Sequence, residues 1–285
     1  MPEGDTIFRS ARSLGRALGG KIITGFRSTY PLLTRFDEDA PLTGQIVESV
    51  ESRGKWLLMH FSGGGTLATH MLMNGSWHIY RPGERWQRPP GTARIVIENS
   101  EYVAVGFDVP VAVMHTKQSL TRDRRIPAAT NDLLSETFDA GAALERMLAH
   151  PDEELGEVLL RQRVFAGVGN VFKSETCFGA GLSPFQKVRT VSRAQLKTAI
   201  ELARSQLGAN VIEDSPNRIV TWRGVGRRTT RQSDPSESLW VYGRKGEPCR
   251  RCGERIRGRL QGIDARLTYW CPRCQPMPDG SDVDG

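Results

Sequence analysis

Apolar residues in the first part of the chain follow two different periods. Between residues 7 and 18 they recur every three or four positions, which predicts a helix with Asp5 or Thr6 as its N-cap. From about residue 21 to 115 the pattern changes to short β-rich runs, such as WLLMHF, TLATHMLM, ARIVIE and YVAVGF. The runs are separated by the turn sequences SGGG, RPGE and RPPG. This alternation is typical of a β-sandwich or a barrel.

The β pattern ends at a charged stretch, TKQSLTRDRRIPAATN, which is typical of a linker. Helical periodicity then dominates, as in AGAALERMLAH and SRAQLKTAIELARSQL. An Arg-rich polar segment and a cysteine-containing module follow, and the chain closes on an acidic tail that we expect to be disordered. The pattern predicts an α+β protein with these limits: 1–120, helix and β-sandwich; 121–131, linker; 132–215, helical domain; 216–240, Arg-rich loop; 241–275, cysteine module; 276–285, tail.

The length and composition are those of a globular protein. A chain of 285 residues accommodates about two domains, and 38% hydrophobic with 25% charged residues is ordinary. No run approaches the roughly 18 consecutive apolar residues of a membrane span. The N-terminus is acidic and then polar, which predicts no signal peptide. We therefore expect a soluble, intracellular protein.

Positive charge is concentrated in the last third of the chain. The net charge is +7, and residues 216–275 hold 14 Lys and Arg against 5 Asp and Glu. Most of these bases are arginines, whose guanidinium groups match phosphate oxygens bidentately. The excess favours a nucleic-acid partner, and the alternative is a solvated basic face.

Four of the five cysteines form two CxxC pairs separated by eighteen residues: Cys249, Cys252, Cys271 and Cys274. This spacing is a strong indication of one structural zinc ion with four thiolate ligands. Disulfides, which are rare in intracellular chains, and a redox pair are the alternatives. The fifth cysteine, Cys177, is interpreted as a small buried helix residue. Nine bases against three acids over 241–275 indicate that the module contacts phosphates.

The segment LLRQRVFAGVGNVFKSETCF predicts a helix, a turn containing Gly167 and Gly169, and a second helix that starts near Asn170. Asn is a good N-cap, and the open N–H groups of a helix N-terminus bind anions. Many helical hairpins carry such a turn without a ligand. Beside a basic module, the turn is a candidate second contact with DNA.

Five motifs, taken in order, resemble one family. They are PEG after Met1, RGKWLL at 53–58, HMLMNGSW at 70–77, QRVFAGVGN at 162–170 and RLTYWCPRCQ at 266–275. Together they resemble the formamidopyrimidine-DNA glycosylase and endonuclease VIII superfamily over about residues 2–275. The resemblance implies an N-terminal helix and β-sandwich, a helix-two-turn-helix domain and a zinc-finger β-hairpin. It also implies a base-excision-repair enzyme that is both a DNA glycosylase and an abasic-site lyase.

The resemblance assigns the catalytic nucleophile to Pro2, once Met1 has been removed as expected before a small residue. A terminal amine has a pKa of about 8, so a useful fraction is neutral at physiological pH. Attack of this secondary amine on the sugar C1′ gives an iminium, and the covalent intermediate divides one hard step into easier ones. Glu3 is implied in acid/base work on the opening sugar. Without the other motifs, PEG would be an unremarkable chain start.

The resemblance assigns roles to four further residues of this chain. Lys55 would hold the lesion phosphate and assist proton transfer, although a lysine in this sequence is usually a solvated strand end. Asn170 and Arg266 match phosphate-contacting residues, and Arg266 is also credited with proton donation in δ-elimination. His70 matches a residue near the DNA backbone.

Chemistry at C1′ requires the target nucleotide to leave the stack. Met73 matches the position of a side chain that wedges into the vacated space, and a flexible apolar residue suits that role. The alternation in HMLM also fits a half-buried strand, in which Met73 would have no contact with DNA.

Two positions depart from the family pattern. The family commonly has another glutamate at position 6, where this chain has Thr6; Asp5 is a partial substitute or, with Thr6, a cap of the first helix. In residues 106–114, GFDVPVAVM, only apolar residues follow Asp108, whereas formamidopyrimidine-type members carry a basic and aromatic loop here, whose Arg and Phe help to fill the gap and read the opposite cytosine. This favours an endonuclease VIII-type member that prefers oxidised pyrimidines.

The sequence therefore predicts an enzyme that excises oxidised bases through a Pro2 Schiff base and cleaves the strand by β,δ-elimination. Its partner would be double-stranded DNA with oxidised bases or abasic sites, its only cofactor one structural Zn²⁺. We expect a monomer in the cytoplasm of a bacterial-type cell, associated with the nucleoid and not with a membrane. The alternatives are an abasic-site lyase with weak glycosylase activity and a non-catalytic protein that binds damaged DNA.

Overall fold

The chain divides into two units, each with its own hydrophobic core. The computed structural model describes residues 2–211, 229–230 and 238–281, of which 2–126 belong to the first unit and the rest to the second. Within these ranges, no helix combines the length and the apolar character that a membrane crossing requires.

The first unit is built of three helices and two four-stranded antiparallel sheets. The helices are α1 (Gly4–Leu18), α2 (Pro31–Asp39) and α3 (Lys117–Arg122). The strands are β1 (Gly25–Ser28), β2 (Val47–Arg53), β3 (Trp56–Phe61), β4 (Gly65–His70), β5 (Ser76–Tyr80), β6 (Ala93–Glu98), β7 (Val103–Phe107) and β8 (Val111–Thr116). One sheet has the strand order β1-β6-β7-β5 and the other β2-β3-β4-β8.

Helix α1 and both sheets share one core. Leu14 of α1, Met59 of β3 and Ile95 of β6 lie in the same cluster and are each at most 1% exposed. Full burial of such side chains contributes about 1.5–3 kcal/mol each. The expected N-terminal helix and β-sandwich are confirmed.

The start of α1 differs from the expectation. The helix begins at Gly4 with Glu3 as its N-cap, so the assignment of the cap to Asp5 or Thr6 is wrong. The main-chain oxygen of Glu3 accepts from the N–H groups of Thr6 (3.0 Å) and Ile7 (3.1 Å). Apolar periodicity begins only at Ile7 because the first turn is made of small and polar residues.

The charged stretch 116–131, predicted to be a linker, contains α3. The Thr116 hydroxyl accepts from the Ser119 N–H at 3.1 Å and the Ser119 hydroxyl accepts from the Thr116 N–H at 3.0 Å, a capping box. None of the residues of α3 is fully buried, and only Leu120 packs against an apolar cluster, so the cap supplies much of the support for this helix. An apolar pattern therefore cannot reveal it.

The second unit is a helical domain followed by a two-stranded hairpin, as expected. Its helices are α4 (Ala140–Leu148), α5 (Leu155–Leu160), α6 (Asn170–Ala180) and α7 (Arg193–Ala209), and its strands are β9 (Arg257–Gln261) and β10 (Arg266–Trp270). Helices α5, α6 and α7 pack around one core that includes Leu159, Phe172 and Ile200, each at most 1% exposed. The predictions for the Arg-rich loop and for the end of the acidic tail fall largely outside the described residues.

Candidate active site and DNA-binding surface

Pro2 and Glu3 lie at the N-terminal end of α1. Pro2 is half-buried, and Glu3 is only 1% exposed. A carboxylate at this point lies at the positive end of the helix dipole, which favours negative charge. The residue that would carry a free amine therefore immediately precedes a buried glutamate at the start of α1.

At position 6, the site of the departure from the family pattern, a carboxylate lies close by. The Thr6 hydroxyl donates to Oδ1 of Asp5 at 3.3 Å, and Oδ2 of Asp5 lies 3.4 Å from Nη2 of Arg9. Asp5 is completely buried. It is thus engaged within the first turns of α1.

Lys55 lies in the two-residue turn between β2 and β3. Gly54, the first residue of that turn, has a φ of +59°, a conformation that glycine adopts without strain. Arg53 and Trp56 pair across the turn, and Trp56 in turn pairs with His70 of β4. The sheet therefore makes Lys55 and His70 neighbours, as their common assignment to the DNA backbone requires.

His70 is held as a neutral ring. Burial, and then the charge of Lys55, lowers the pKa of His70 to about 4. Its Nδ1 accepts from the main-chain N–H of Leu72 at 3.2 Å, so the neutral ring carries its proton on Nε2. His70 can donate one hydrogen bond to a phosphate but contributes no positive charge.

Strand β4 ends at His70, and residues 71–74 form a turn. Met73 is 65% exposed, so it does not lie in a half-buried strand. Leu72, also apolar, is 45% exposed with a φ of +43°. We name residues 71–75 the wedge turn. Sequence reasoning missed Leu72 because the β-like alternation extends past the end of the strand.

The loop at residues 108–110 lies beside the wedge turn. Together with the wedge turn it borders an open groove of about 830 Å³, whose wall includes Tyr30, Arg88 and Arg94. Asp108 has a φ of +46° and forms an ion pair with Arg88 at 2.5 Å. Two arginines therefore line this groove, although the 106–114 segment itself has none.

In the second unit, Asn170 and Arg266 come together. Gly169 is the N-cap of α6 and Asn170 is its first helical residue, so the assignment of the cap to Asn170 is wrong. The Asn170 side chain instead donates from Nδ2 to the main-chain oxygen of Leu267 at 2.8 Å. Its Oδ1 is buried and has no hydrogen-bond partner among the described residues. Arg266 precedes Leu267, and its Nη2 lies 3.3 Å from Asp264.

The four cysteines of the CxxC pairs meet at one point. All four Sγ atoms lie within 4.8 Å of one another, with Cys249–Cys274 at 3.9 Å and Cys252–Cys271 at 3.5 Å. A tetrahedral zinc with Zn–S bonds of about 2.3 Å separates its sulfurs by about 3.8 Å, so the cluster fits zinc. Burial raises the pKa of Cys271 to about 11, so metal binding must displace the proton of this thiol. Cys177 lies apart on α6, completely buried, as expected.

Two buried charged residues of α6 that sequence reasoning missed support this module. The carboxylate of Glu175 accepts from the main-chain N–H groups of Trp240, Val241 and Tyr242, each at 2.9 Å. Lys173 donates to the Thr268 hydroxyl at 2.5 Å. Charged residues in a helix usually face solvent, so only the near-continuous burial of α6 distinguishes this pair.

The chain matches three family models in order. They are the formamidopyrimidine-DNA glycosylase N-terminal domain at residues 1–109, the helix-two-turn-helix (H2TH) domain of the same glycosylase at 130–217, and the zinc finger found in this glycosylase and in isoleucyl-tRNA synthetase at 246–276. The fold also matches a complex of Lactococcus lactis Fpg with DNA containing an abasic site, at a TM-score of 0.77, 22% identity and coverage of 96% and 99% of the two chains.

Full-length relatives narrow the assignment. The probable endonuclease 8 2 of Streptomyces coelicolor is 38% identical over 98% of this chain and 95% of its own length. The DNA-(apurinic or apyrimidinic site) lyase Nei2 of Mycolicibacterium smegmatis is 36% identical (96% and 99%), and endonuclease 8 of Escherichia coli 30% identical (96% and 100%). The chain belongs to the formamidopyrimidine-DNA glycosylase and endonuclease VIII superfamily. Within it, the chain is similar to the endonuclease 8 proteins.

Proposed function

We propose that this protein is a bifunctional DNA glycosylase and abasic-site lyase of base excision repair. The observation that carries the proposal is the position of Pro2 and Glu3 at the buried start of α1, in a chain that matches endonuclease 8 proteins over nearly its whole length. The domain limits predicted from the sequence remain part of the proposal.

Pro2, freed by removal of Met1, attacks C1′ of the damaged nucleotide. The N–C1′ bond forms as the glycosidic bond breaks, and the electron pair of that bond leaves with the base. The Pro2 nitrogen then gives up its proton, which neutralises the departing base anion, and its lone pair breaks the C1′–O4′ bond as Glu3 protonates the ring oxygen. The iminium that results is the Schiff base. Loss of a C2′ proton to water then expels the 3′ phosphate, and loss of the C4′ proton to water in the second elimination expels the 5′ phosphate, with Arg266 as the proton donor.

In the first unit, Lys55 holds the lesion phosphate and His70 adds a neutral donor. In the second unit, Asn170 and Arg266 contact phosphates of the DNA backbone. The proposal for Asn170 is supported by its amide geometry, because one Nδ2 hydrogen is used by Leu267 and the other is available for a phosphate oxygen. Met73 enters the space that the nucleotide leaves. Its 65% exposure in a turn supports that role.

The preferred lesions are oxidised pyrimidines. This is supported by the apolar 110–114 segment, where formamidopyrimidine-type enzymes carry the Arg and Phe of their cytosine-reading loop. The substrate is double-stranded DNA, the enzyme acts as a monomer, and its place is with the nucleoid in the cytoplasm. A second candidate, a lyase with weak glycosylase activity, is favoured by the lyase name of the Mycolicibacterium relative.

Borohydride trapping with intact-mass readout tests the proposal. Purified protein, confirmed to start at Pro2, is mixed with duplexes that carry either an abasic site or an oxidised pyrimidine such as 5-hydroxycytosine. We expect a reduced adduct on both duplexes that maps to Pro2, and a much lower yield with Pro2→Gly, whose terminal amine is primary and must lose a second proton. Glu3→Gln should bind both duplexes and lose base removal.

Each of the other outcomes would indicate a different function or a different nucleophile. An adduct on the abasic duplex alone would favour the lyase. Binding of both duplexes without any adduct would favour a non-catalytic protein. An adduct that maps to a residue other than the one at position 2 would refute the assignment of the nucleophile.

A further inference from the structure

The wedge turn and the loop at 108–110 are locked together through their main chains. A Cβ on Gly75 would lie 2.7 Å from the Met71 oxygen and 3.1 Å from the Cα of Val109, so only glycine permits this approach. Leu72 and Asp108, one on each side, both have positive φ. Non-glycine residues in this region are strained by about 1–3 kcal/mol, and such strain persists only where surrounding contacts over-determine it.

Arg88 makes contacts with both segments. Its Nη2 pairs with Oδ2 of Asp108 at 2.5 Å, while Nη1 donates to the main-chain oxygen of Asn74 at 3.3 Å and to the Ser76 hydroxyl at 3.1 Å. One planar guanidinium thus joins the wedge turn, the start of β5 and the 108–110 loop. A lysine ammonium is a point charge on a flexible stem and does not reproduce this fork.

A chain of hydrogen bonds from buried residues of β5 fixes the position of Arg88. Ser76 is hydrogen-bonded to Nε2 of His78 (3.0 Å), whose Nδ1 lies 3.0 Å from the Tyr80 hydroxyl. The Tyr80 hydroxyl also accepts from the main-chain N–H of Gln87 at 3.2 Å. His78 and Tyr80 are at most 5% exposed. The loop that carries Arg88 is therefore anchored to buried residues of β5.

Met73 needs such support because it is exposed. With 65% of its surface in solvent, packing around its own side chain does not set its direction, so the main chain of the turn must do so. We propose that Arg88 is a positioning residue, which holds the wedge turn against the 108–110 loop and so sets how far Met73 enters DNA. This inference rests on the proposed function.

The test separates base extraction from later chemistry. Arg88→Ala and Asp108→Asn each break the ion pair, and asparagine tolerates the positive φ of position 108. Under single turnover, we expect both variants to remove an oxidised pyrimidine from duplex DNA about tenfold to a hundredfold more slowly, since a misplacement of about 1 Å costs that much. Cleavage at a preformed abasic site should change by less than about threefold, because that substrate requires no base extraction.

Two further readouts distinguish positioning from simpler roles. The fluorescence of 2-aminopurine opposite the lesion, which reports insertion of the wedge, should rise less with either variant than with the wild type. The double variant should remove the base no more slowly than the slower single variant, because the two substitutions remove the same ion pair. Arg85→Ala is the matched control, since it removes an exposed arginine from the same loop and should behave as the wild type.

Unchanged base removal in Arg88→Ala would overturn the inference, as would an equal loss of both activities. A fall of the log–log salt slope of binding by about 0.9 with Arg88→Ala would mean that Arg88 contacts a phosphate, which also overturns it. If Arg88→Ala does not fold, Asp108→Asn and Arg88→Lys decide the matter by the same criteria. Failure of the wild type on both substrates would instead refute the proposed function.

Discussion

Asn170 donates a hydrogen bond from its side-chain amide to the main-chain oxygen of Leu267 at 2.8 Å. This contact joins the first turn of α6 to the second strand of the hairpin, one residue after Arg266. Two residues assigned to DNA phosphates, which lie 96 positions apart in the sequence, are thereby fixed relative to each other. The hairpin and the helix N-terminus form one surface within the second unit.

Asn170→Ala and Arg266→Ala should both weaken binding to abasic-site DNA, but with different salt dependence. We expect about a tenfold loss of affinity for each, since a hydrogen bond to a charged group contributes about 1.5–3 kcal/mol. Only Arg266→Ala should reduce the log–log salt slope, by about 0.9, because asparagine neutralises no phosphate. Fluorescence anisotropy at several salt concentrations measures both. Asn210→Ala, at the end of α7, is the control, and equal slopes for the two variants would contradict the assignment.

Removal of the metal should disable DNA binding. Elemental analysis should find one zinc per chain, and Cys271→Ser should abolish it with a loss of affinity of more than about tenfold, because the hairpin folds with its metal. Cys177→Ala alters the fifth cysteine, outside the cluster, and should keep the zinc. Full zinc content in Cys271→Ser would show that the cluster is not the site.

Glu175→Gln should destabilise the second unit by about 2–3 kcal/mol. The glutamine amide group would turn an N–H donor toward main-chain N–H groups that need an acceptor, and a buried unsatisfied donor costs that much. Urea unfolding measures the loss. Glu201→Gln is the control, because Glu201 is exposed and lies 3.9 Å from Lys197, so its removal should change stability by less than about 0.5 kcal/mol. An equal effect of both variants would mean that Glu175 is not a structural acceptor.

His78 should make the protein less stable in mild acid. Burial, and then the charge of Arg88, lowers the pKa of His78 to about 4, whereas an unfolded histidine titrates near 6.5. The unfolded state binds more protons between these values, so stability falls as the pH falls. Between pH 7 and pH 5 the wild type should lose about 2 kcal/mol more than His78→Gln. Urea unfolding at both pH values checks this, and parallel losses would contradict it.

Much of the fold follows from local pattern. WLLMHF and ARIVIE coincide with β3 and β6, because apolar β-branched and aromatic runs between turn residues specify strands. The spacing of the cysteines is enough to indicate their cluster, since a thiolate knuckle is a local motif. The zinc and the family assignment are confirmed on these grounds.

Contacts between distant positions are harder to predict. Glu175 lies 65 residues from Trp240, and Arg88 lies 20 residues from Asp108. Both separations are too long for a local sequence pattern to indicate the contact. The end of β4 is equally hidden, because alternation continues through Met71 and Met73 after the strand has stopped. The sequence therefore predicts the helices and strands better than it predicts the side-chain contacts between distant positions.

The left-handed residues Leu72 and Asp108 have a consequence for engineering. Glycine at either position would relieve backbone strain, although at position 108 it would also remove the ion pair with Arg88, so a search for thermostable variants would include both sites. Yet Leu72 lies in the wedge turn and Asp108 lies beside it, and added flexibility there would loosen the geometry that base extraction depends on. A variant library screened for heat resistance alone should therefore accumulate enzymes that survive longer and repair less.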